Sequence, residues 1–199
     1  MRRPAFSWIA VLCAALAATP ALAGGNANFS LGFRSLGDDL WTDIHKQPAF
    51  GVSVDFGPES WPIGLVGGYY LSTRQKTGTS AFGVSGDLTG TVGELSFGVR
   101  KTWMSPGGAH VFIEGGAAQV IADLKIEGGS SKIEDNDTSA GGYAQVGIFW
   151  RLGSRFNIGV QGRTLLGTSV DLNDFGSFGS GNADYYQVGM ILGWGWPSS

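Results

Sequence analysis

The chain has 199 residues, of which 34 are Gly, with 15% charged and 12% aromatic residues and a formal net charge of −3. Disordered chains are poor in aromatics and rich in charge, and collagen needs Gly at every third place, so both are excluded. The acidic balance offers no basic footprint for nucleic acid, which leaves a Gly-rich soluble β protein or a membrane β-barrel.

The N-terminus comes first. Arg2 and Arg3 precede an apolar run from Phe6 to about Ala18, Thr19-Pro20 breaks it, and Ala21-Leu22-Ala23 offers small residues where a signal peptidase reads. This predicts a secretory signal peptide over residues 1–23, cleaved after Ala23. The run is too short for a transmembrane anchor, which needs about 20 apolar residues. Cys13, the chain's one cysteine, lies inside the run and follows Leu12, not the small residue that lipidation requires. The mature chain is therefore expected to hold no disulfide. Loss of Arg2 and Arg3 leaves 11 basic against 16 acidic residues, a net charge of −5.

Residues 24–199 are predicted to form one β domain. Apolar residues recur at every second position, the period of a strand with one greasy face. The first strand sets Phe29, Leu31 and Phe33 against Ser30, Gly32 and Arg34, and the second sets Phe50, Val52, Val54 and Phe56 against Gly51, Ser53 and Asp55. The third runs from Ile63 to Thr73. The fourth, Glu94 to Trp103, sets Leu95, Phe97 and Val99 against Glu94, Ser96 and Arg100. The fifth, His110 to Ile126, changes phase near Gln119, where a bulge is expected. The sixth runs from Tyr143 to Arg151, the seventh from Phe156 to about Gly167, and the eighth from Tyr186 to Trp196.

The connections alternate in length. Residues 37–48, 74–90, 127–140 and 168–184 are long, while 57–62, 104–109 and 152–155 are short. Outer-membrane barrels have long extracellular loops and short periplasmic turns. Phe56, Trp61, Trp103, Trp150, Phe156, Trp194 and Trp196 fall at strand ends nearest a short turn or the C-terminus. They are read as the periplasmic aromatic girdle, because indole prefers the membrane interface. Trp41 stands apart in the first long connection. The opposite faces are small and polar, which suits a narrow interior. The fold expected is a closed eight-stranded antiparallel up-and-down transmembrane β-barrel with both termini in the periplasm.

At this point the chain resembles the small eight-stranded outer-membrane β-barrels, the OmpX and OmpA transmembrane-domain type. The resemblance covers about Asn28 to Trp196. It rests on the leader, the eight alternating segments, the Phe112-Ile-Glu-Gly-Gly-Ala-Ala118 strand, the Phe149-Trp-Arg-Leu-Gly153 turn approach and the aromatic last strand. It implies the outer membrane of a Gram-negative bacterium, with outer-membrane lipid, lipopolysaccharide and the barrel-assembly machinery as partners, and a monomer. Members of that family usually end on an aromatic residue read by the assembly machinery, whereas here Pro197-Ser198-Ser199 follows Trp196.

Inward charges are the first candidates for chemistry. By phase Arg34, Glu94 and Arg163 lie in the outer half of the lumen, and Asp55, Arg100, Glu114 and Arg151 lie nearer the periplasm. Buried charges must pair, so they are expected to form a network that plugs the lumen; a gated pore is the alternative. His45 and His110 fall at opposite ends, which excludes a shared metal site. Some barrels of this kind modify lipid A. The His-x-Ser pair of the deacylase type is absent, since Gln47 and Phe112 stand two residues after the histidines, and His45 with Asp43 only loosely mimics the palmitoyltransferase type. Asp135-Asn-Asp-Thr-Ser139 opens like a calcium loop but lacks its sixth-place Gly and twelfth-place Glu. No cofactor, metal or catalytic residue is expected. The acidic loops are expected to stay hydrated or to share divalent cations with lipopolysaccharide phosphates. Residues 77–90 are expected to extend the third and fourth strands beyond the membrane as a hairpin to which partners could add a strand. The function expected is a non-enzymatic filled barrel that supports the envelope and displays four loops. The alternatives are a narrow channel for ions or small apolar molecules and, behind it, a lipid A-modifying enzyme.

Overall fold

The computed structural model describes residues 24–58, 61–81, 84–128, 131–172 and 180–196. The predicted signal peptide, residues 1–23, and the three residues after Trp196 lie outside them. Eight antiparallel strands close into a barrel. They are β1 (Gly24–Leu36), β2 (Lys46–Gly57), β3 (Gly64–Ala81), β4 (Val84–Met104), β5 (Ala109–Gly128), β6 (Ser131–Leu152), β7 (Phe156–Leu166) and, after two-residue strands β8 (Val170–Asp171) and β9 (Ser180–Gly181), β10 (Tyr185–Trp196). Chain neighbours pair in turn. The wall closes where β1 meets β10, from Gly25↔Trp196 to Leu36↔Tyr185. Closure satisfies the backbone of every wall strand from within, which a lipid surround demands. β8 pairs only with β9, inside the last connection.

Side chains alternate as the period requires. Phe29, Leu31, Phe33, Phe50, Phe97, Val146, Val160 and Val188 point outward, Phe33 being 68% and Val188 65% exposed. In water such a continuous apolar band would be a severe liability; facing lipid, it anchors the wall. Girdle positions Trp61, Trp103, Trp150, Phe156 and Trp194 are exposed at the short-turn end, while Phe56 and Trp196 are half-buried there, Trp196 lying over Gly25.

Two sequence expectations change. Gln119 carries no bulge, because pairing runs unbroken through Leu95↔Gln119 and Gln119↔Ala140. What changes near Gln119 is the polarity of the faces, not the register. Below the Gly93↔Ile121 pair the inward residues are Glu94, Ser96 and Arg100, and the outward ones are Leu95, Phe97 and Val99. Above it the inward set is Val92, Leu88, Ala122, Leu124 and Ile126, all buried, while Thr91, Asp87, Asp123, Lys125 and Glu127 turn outward. The outward face has passed from lipid to water, and the inward face from a polar lumen to an apolar cap. Among the described residues the register shifts between Lys76 and Thr79 of β3, where Gly78 adopts φ +64°. Asp87 Oδ1 clasps this bulge by accepting the Gly78 N–H at 3.1 Å.

Residues 127–128 and 131–140 are not a loop either, since they belong to β5 and β6. β3, β4, β5 and β6 have 18, 21, 20 and 22 residues, against 13, 12, 11 and 12 for β1, β2, β7 and β10. A spanning strand needs about 9–11, so the surplus rises beyond the membrane as a four-stranded sheet. Asp135–Ser139, the calcium-loop candidate, lies within β6. These polar segments are strands because β5 supplies their backbone partners, up to Gly128↔Ser131.

Candidate functional site

The lumen is the site, and it is built in tiers. At the periplasmic end Arg100 is the hub. Its Nη1 meets Asp55 Oδ2 at 2.5 Å, and its Nη2 and Nε donate to Glu114 Oε2 at 2.6 and 2.9 Å. Asn26 and Asn28 also donate to Asp55, at 2.9 and 3.4 Å. The Arg100 guanidinium lies 4.4 Å from the Phe112 ring centroid, and Phe112 belongs to a small buried cluster with Phe149 and Ile191. Arg151, the fourth residue of this end, donates to two neutral oxygens, Asn26 Oδ1 at 2.7 Å and Asn157 Oδ1 at 3.1 Å.

One tier up, Glu94 is the hub. Arg163 Nη2 and the Tyr185 hydroxyl both donate to it, and Arg34 Nη2 stands 3.6 Å away. All three charged side chains are fully buried. Arg163 is sandwiched between Tyr143 and Tyr70, at 3.8 and 4.2 Å, and Arg34 lies 3.8 Å from the Tyr185 centroid. Arg163 Nη1 donates to Gln145 at 2.8 Å and approaches Glu114 at 3.6 Å, which links the two tiers. Glycine makes the room. A Cβ on Gly98 would come within 2.4 Å of the Tyr143 hydroxyl oxygen. The seven inward charges named from the sequence thus fall into one chain of side chains, with four guanidiniums against three carboxylates. The interior is rich in donors, and Arg34 Nη2, Gln47 Nε2, Gln161 Nε2 and Gln187 Nε2 find no hydrogen-bond acceptor among the described residues.

The third tier had no counterpart in the sequence reading. A 3-10 helix over Asp39–Ile44 turns into the barrel mouth and buries Leu40, Trp41 and Ile44. Val170, Leu172 and Ala183 of the last connection join them against Leu88, Val92, Val120, Ala122, Leu124 and Ile126 of the wall. Gly90 leaves the helix its space, since a Cβ there would come within 2.2 Å of Ile44 Cδ1. Trp41 is wholly buried and donates its indole N–H to Asn182 O at 2.8 Å. The signal was present in the sequence as three apolar residues, Leu40, Trp41 and Ile44, inside an acidic loop.

Three of the loop carboxylates expected to stay hydrated, Asp38, Asp137 and Asp184, also bind the chain. Asp38 accepts from Leu40 N and Asn182 Nδ2, both at 2.9 Å. Asp184 accepts from Gly167 N at 3.0 Å and from Thr168 N and Oγ1 at 2.9 and 2.6 Å. Asp137 accepts from Asp171 N at 2.8 Å. Each satisfies backbone N–H groups of the long connections. His45 Nδ1 hydrogen-bonds Thr42 O, and Asp43 forms an ion pair with Lys76 at 2.5 Å. His110, at the other end, stacks on Phe149 with centroids 4.8 Å apart. No group of three potential metal ligands occurs among the described residues.

No protein-family model and no curated protein sequence matches the chain. Solved structures do. The outer membrane protein OprG from Pseudomonas aeruginosa matches with a TM-score of 0.59 at 10% identity, over 89% of this chain and 98% of that one. A major outer membrane protein from Thermus thermophilus gives 0.59 at 11%, over 87% and 99%. Ail, the attachment invasion locus protein of Yersinia pestis, gives 0.55 at 9%, over 87% and 98%. The shared feature is the fold: this chain has the architecture of the small outer-membrane β-barrels.

Proposed function

We propose that the protein is a closed, non-enzymatic barrel of a Gram-negative outer membrane, which stiffens the envelope and displays its four-stranded extracellular sheet. The observation that carries this reading is the filling of the lumen in series. An interior of eight strands is just wide enough for side chains to fill. Here two charged tiers and an apolar cap lie across it one above another. The apolar outer band and the resemblance to outer-membrane barrels support the location.

Display has a physical surface. Above Ala49↔Ser72, β3 has no strand partner on its β2 side among the described residues, and before Gly142↔Leu166, β6 has none on its β7 side. Both segments are sheet edges outside the membrane, flanked in part by side-chain contacts, β3 by the 3-10 helix through Lys76–Asp43 and β6 by β8 through Asp137. They are kept from indiscriminate pairing by charge and by the bulge at Gly78, the usual protections of an edge. Lys132 and Glu134 form an ion pair on the β6 edge, and the hydrogen bond from Lys132 holds the Glu134 carboxyl below its usual range. Ail is an attachment invasion locus protein, which accords with a display role. We read the outer-membrane lipid and lipopolysaccharide as the surroundings of this barrel and the assembly machinery as its one helper.

The test is ion conductance. The chain is refolded in detergent, checked for faster migration unboiled than boiled, and inserted in a planar bilayer. Silence is expected. Reproducible single-channel steps from the unaltered chain would overturn the closed reading in favour of a narrow channel.

A further inference from the structure

The periplasmic mouth of the lumen holds a cavity of about 340 Å³, lined among others by Asn26, Asp55, Arg100, His110, Arg151 and Trp196. It is open to the periplasm and edged by glycine. Gly24 pairs with Gly57 across β1 and β2, and Gly25 and Gly64 also face it.

The charge in this vestibule is one-sided. Asp55 lines it, but its Oδ1 already accepts from Asn26 and its Oδ2 from Arg100 and Asn28. Arg100 is in turn satisfied by Asp55 and Glu114. Arg151 differs. Its Nε and Nη2 are held by the neutral oxygens of Asn157 and Asn26, its Nη1 has no hydrogen-bond partner among the described residues, and no carboxylate pairs with it. It is the guanidinium left over when four face three carboxylates. His110 pairs with Phe149 across β5 and β6, which places it diagonally opposite Arg151, within electrostatic reach of it. Two cationic or protonatable groups therefore face one cavity whose carboxylate, Asp55, though within electrostatic reach of Arg151, has both oxygens engaged by Arg100, Asn26 and Asn28. Asn26 and Asn157 fix the orientation of Arg151, and the Asn157 amide also donates to Asn26 at 2.9 Å. A guanidinium fork held rigid with its outer N–H groups free is suited to an oxyanion.

We infer that this vestibule is a binding site for a phosphate oxyanion, with Arg151 as the principal ligand and His110 as the second. The volume accepts a free phosphate or the headgroup of a phospholipid from the periplasmic leaflet. The second source is within reach because Trp61 and Trp196, which belong to the interface girdle, also line the cavity. The site lies at the opposite end of the barrel from the displayed sheet and is independent of the closed reading above.

The experiment is calorimetric titration of the folded barrel in a maltoside detergent, which carries no phosphate. Inorganic phosphate is one ligand and a short-chain phosphatidylethanolamine is the other. Binding is expected in at least one arm, and the arm that binds identifies the source. Arg151→Gln is expected to weaken it about tenfold, the loss of a charge-assisted hydrogen-bond pair, and Arg151→Lys to restore part of it. Arg155→Gln is the control: this exposed arginine lies at the same end, beside Trp194 and outside the cavity, and its loss is expected to leave the titration unchanged. Should Arg151→Gln fail the gel-mobility test of folding, His110→Gln carries the comparison, with a smaller loss expected. Absence of heat in both arms, or equal weakening by Arg155→Gln, would overturn the site.

Discussion

At the scale of single residues, the decisive contrast is between ion pairs inside the wall and ion pairs outside it. Glu94 is the carboxylate that Arg34, Arg163 and Tyr185 converge on, at full burial. Removing one partner of a buried pair leaves the others uncompensated, at a cost of about 3–5 kcal/mol. Glu94→Ala is therefore expected to lower the urea midpoint of the folded barrel strongly. Lys125→Ala breaks the Lys125–Glu127 pair on the exposed outer sheet and is expected to leave that midpoint unmoved, because exposed pairs contribute little. Glycines divide in the same way. A Cβ on Gly116 would meet the Phe97 carbonyl oxygen at 2.1 Å, a backbone atom that cannot step aside, whereas a Cβ on Gly162 meets nothing within 4 Å. Gly116→Ala is expected to cost about 1–3 kcal/mol through forced separation of β4 and β5. Gly162→Ala is expected to be silent in the same urea titration.

At the scale of elements, the cap separates what chain pattern reveals from what it hides. Trp41→Ala removes the largest side chain of the cap, and a buried Trp→Ala change costs about 3–5 kcal/mol. The expected outcome is local: limited proteolysis gains a cut in the segment between β1 and β2, and the boiled-versus-unboiled mobility shift of the wall is retained. Strand phases within the membrane were legible because each has one face on lipid and one on a polar lumen, so hydropathy alternates cleanly from Phe29 to Arg34 and from Leu95 to Arg100. The upper halves of β4 and β5 kept that period with the faces exchanged, and the exchange at Gln119 looked like a slip. Residues 131–140 carried no apolar period at all. Their strand is set by pairing with β5, a nonlocal cause that periodicity does not register. Inward charges could be named from phase alone, but their partners could not. The Arg163–Glu94 and Arg34–Gln187 contacts join strands far apart in the chain, and only barrel closure brings them together. The cap was hidden for a similar reason. Two turns of 3-10 helix are too short for a periodic signal, and the other half of the cap lies more than a hundred residues downstream.

At the scale of the whole molecule, the tiers act in series, so opening one leaves the others shut. Neither Trp41→Ala nor Glu94→Ala alone, nor the double variant, is expected to conduct in a planar bilayer, because the Arg100–Asp55–Glu114 tier still closes the lumen; single-channel steps from a correctly folded double variant would show that this tier is no barrier. The cap also has a consequence in time. Its two halves are joined by the Trp41–Asn182 and Asp38–Asn182 hydrogen bonds, across 141 and 144 positions of chain, and by Gly37 N to Asp184 O at 3.1 Å. These bonds stand directly above the β1–β10 seam. Contacts of such separation form late, after the loop entropy of the intervening chain has been overcome. During biogenesis the outer mouth is expected to be the last part to shut, so that each newly inserted copy passes through a brief uncapped age, its lumen barred by the charged tiers alone, that ends when its first and last connections meet.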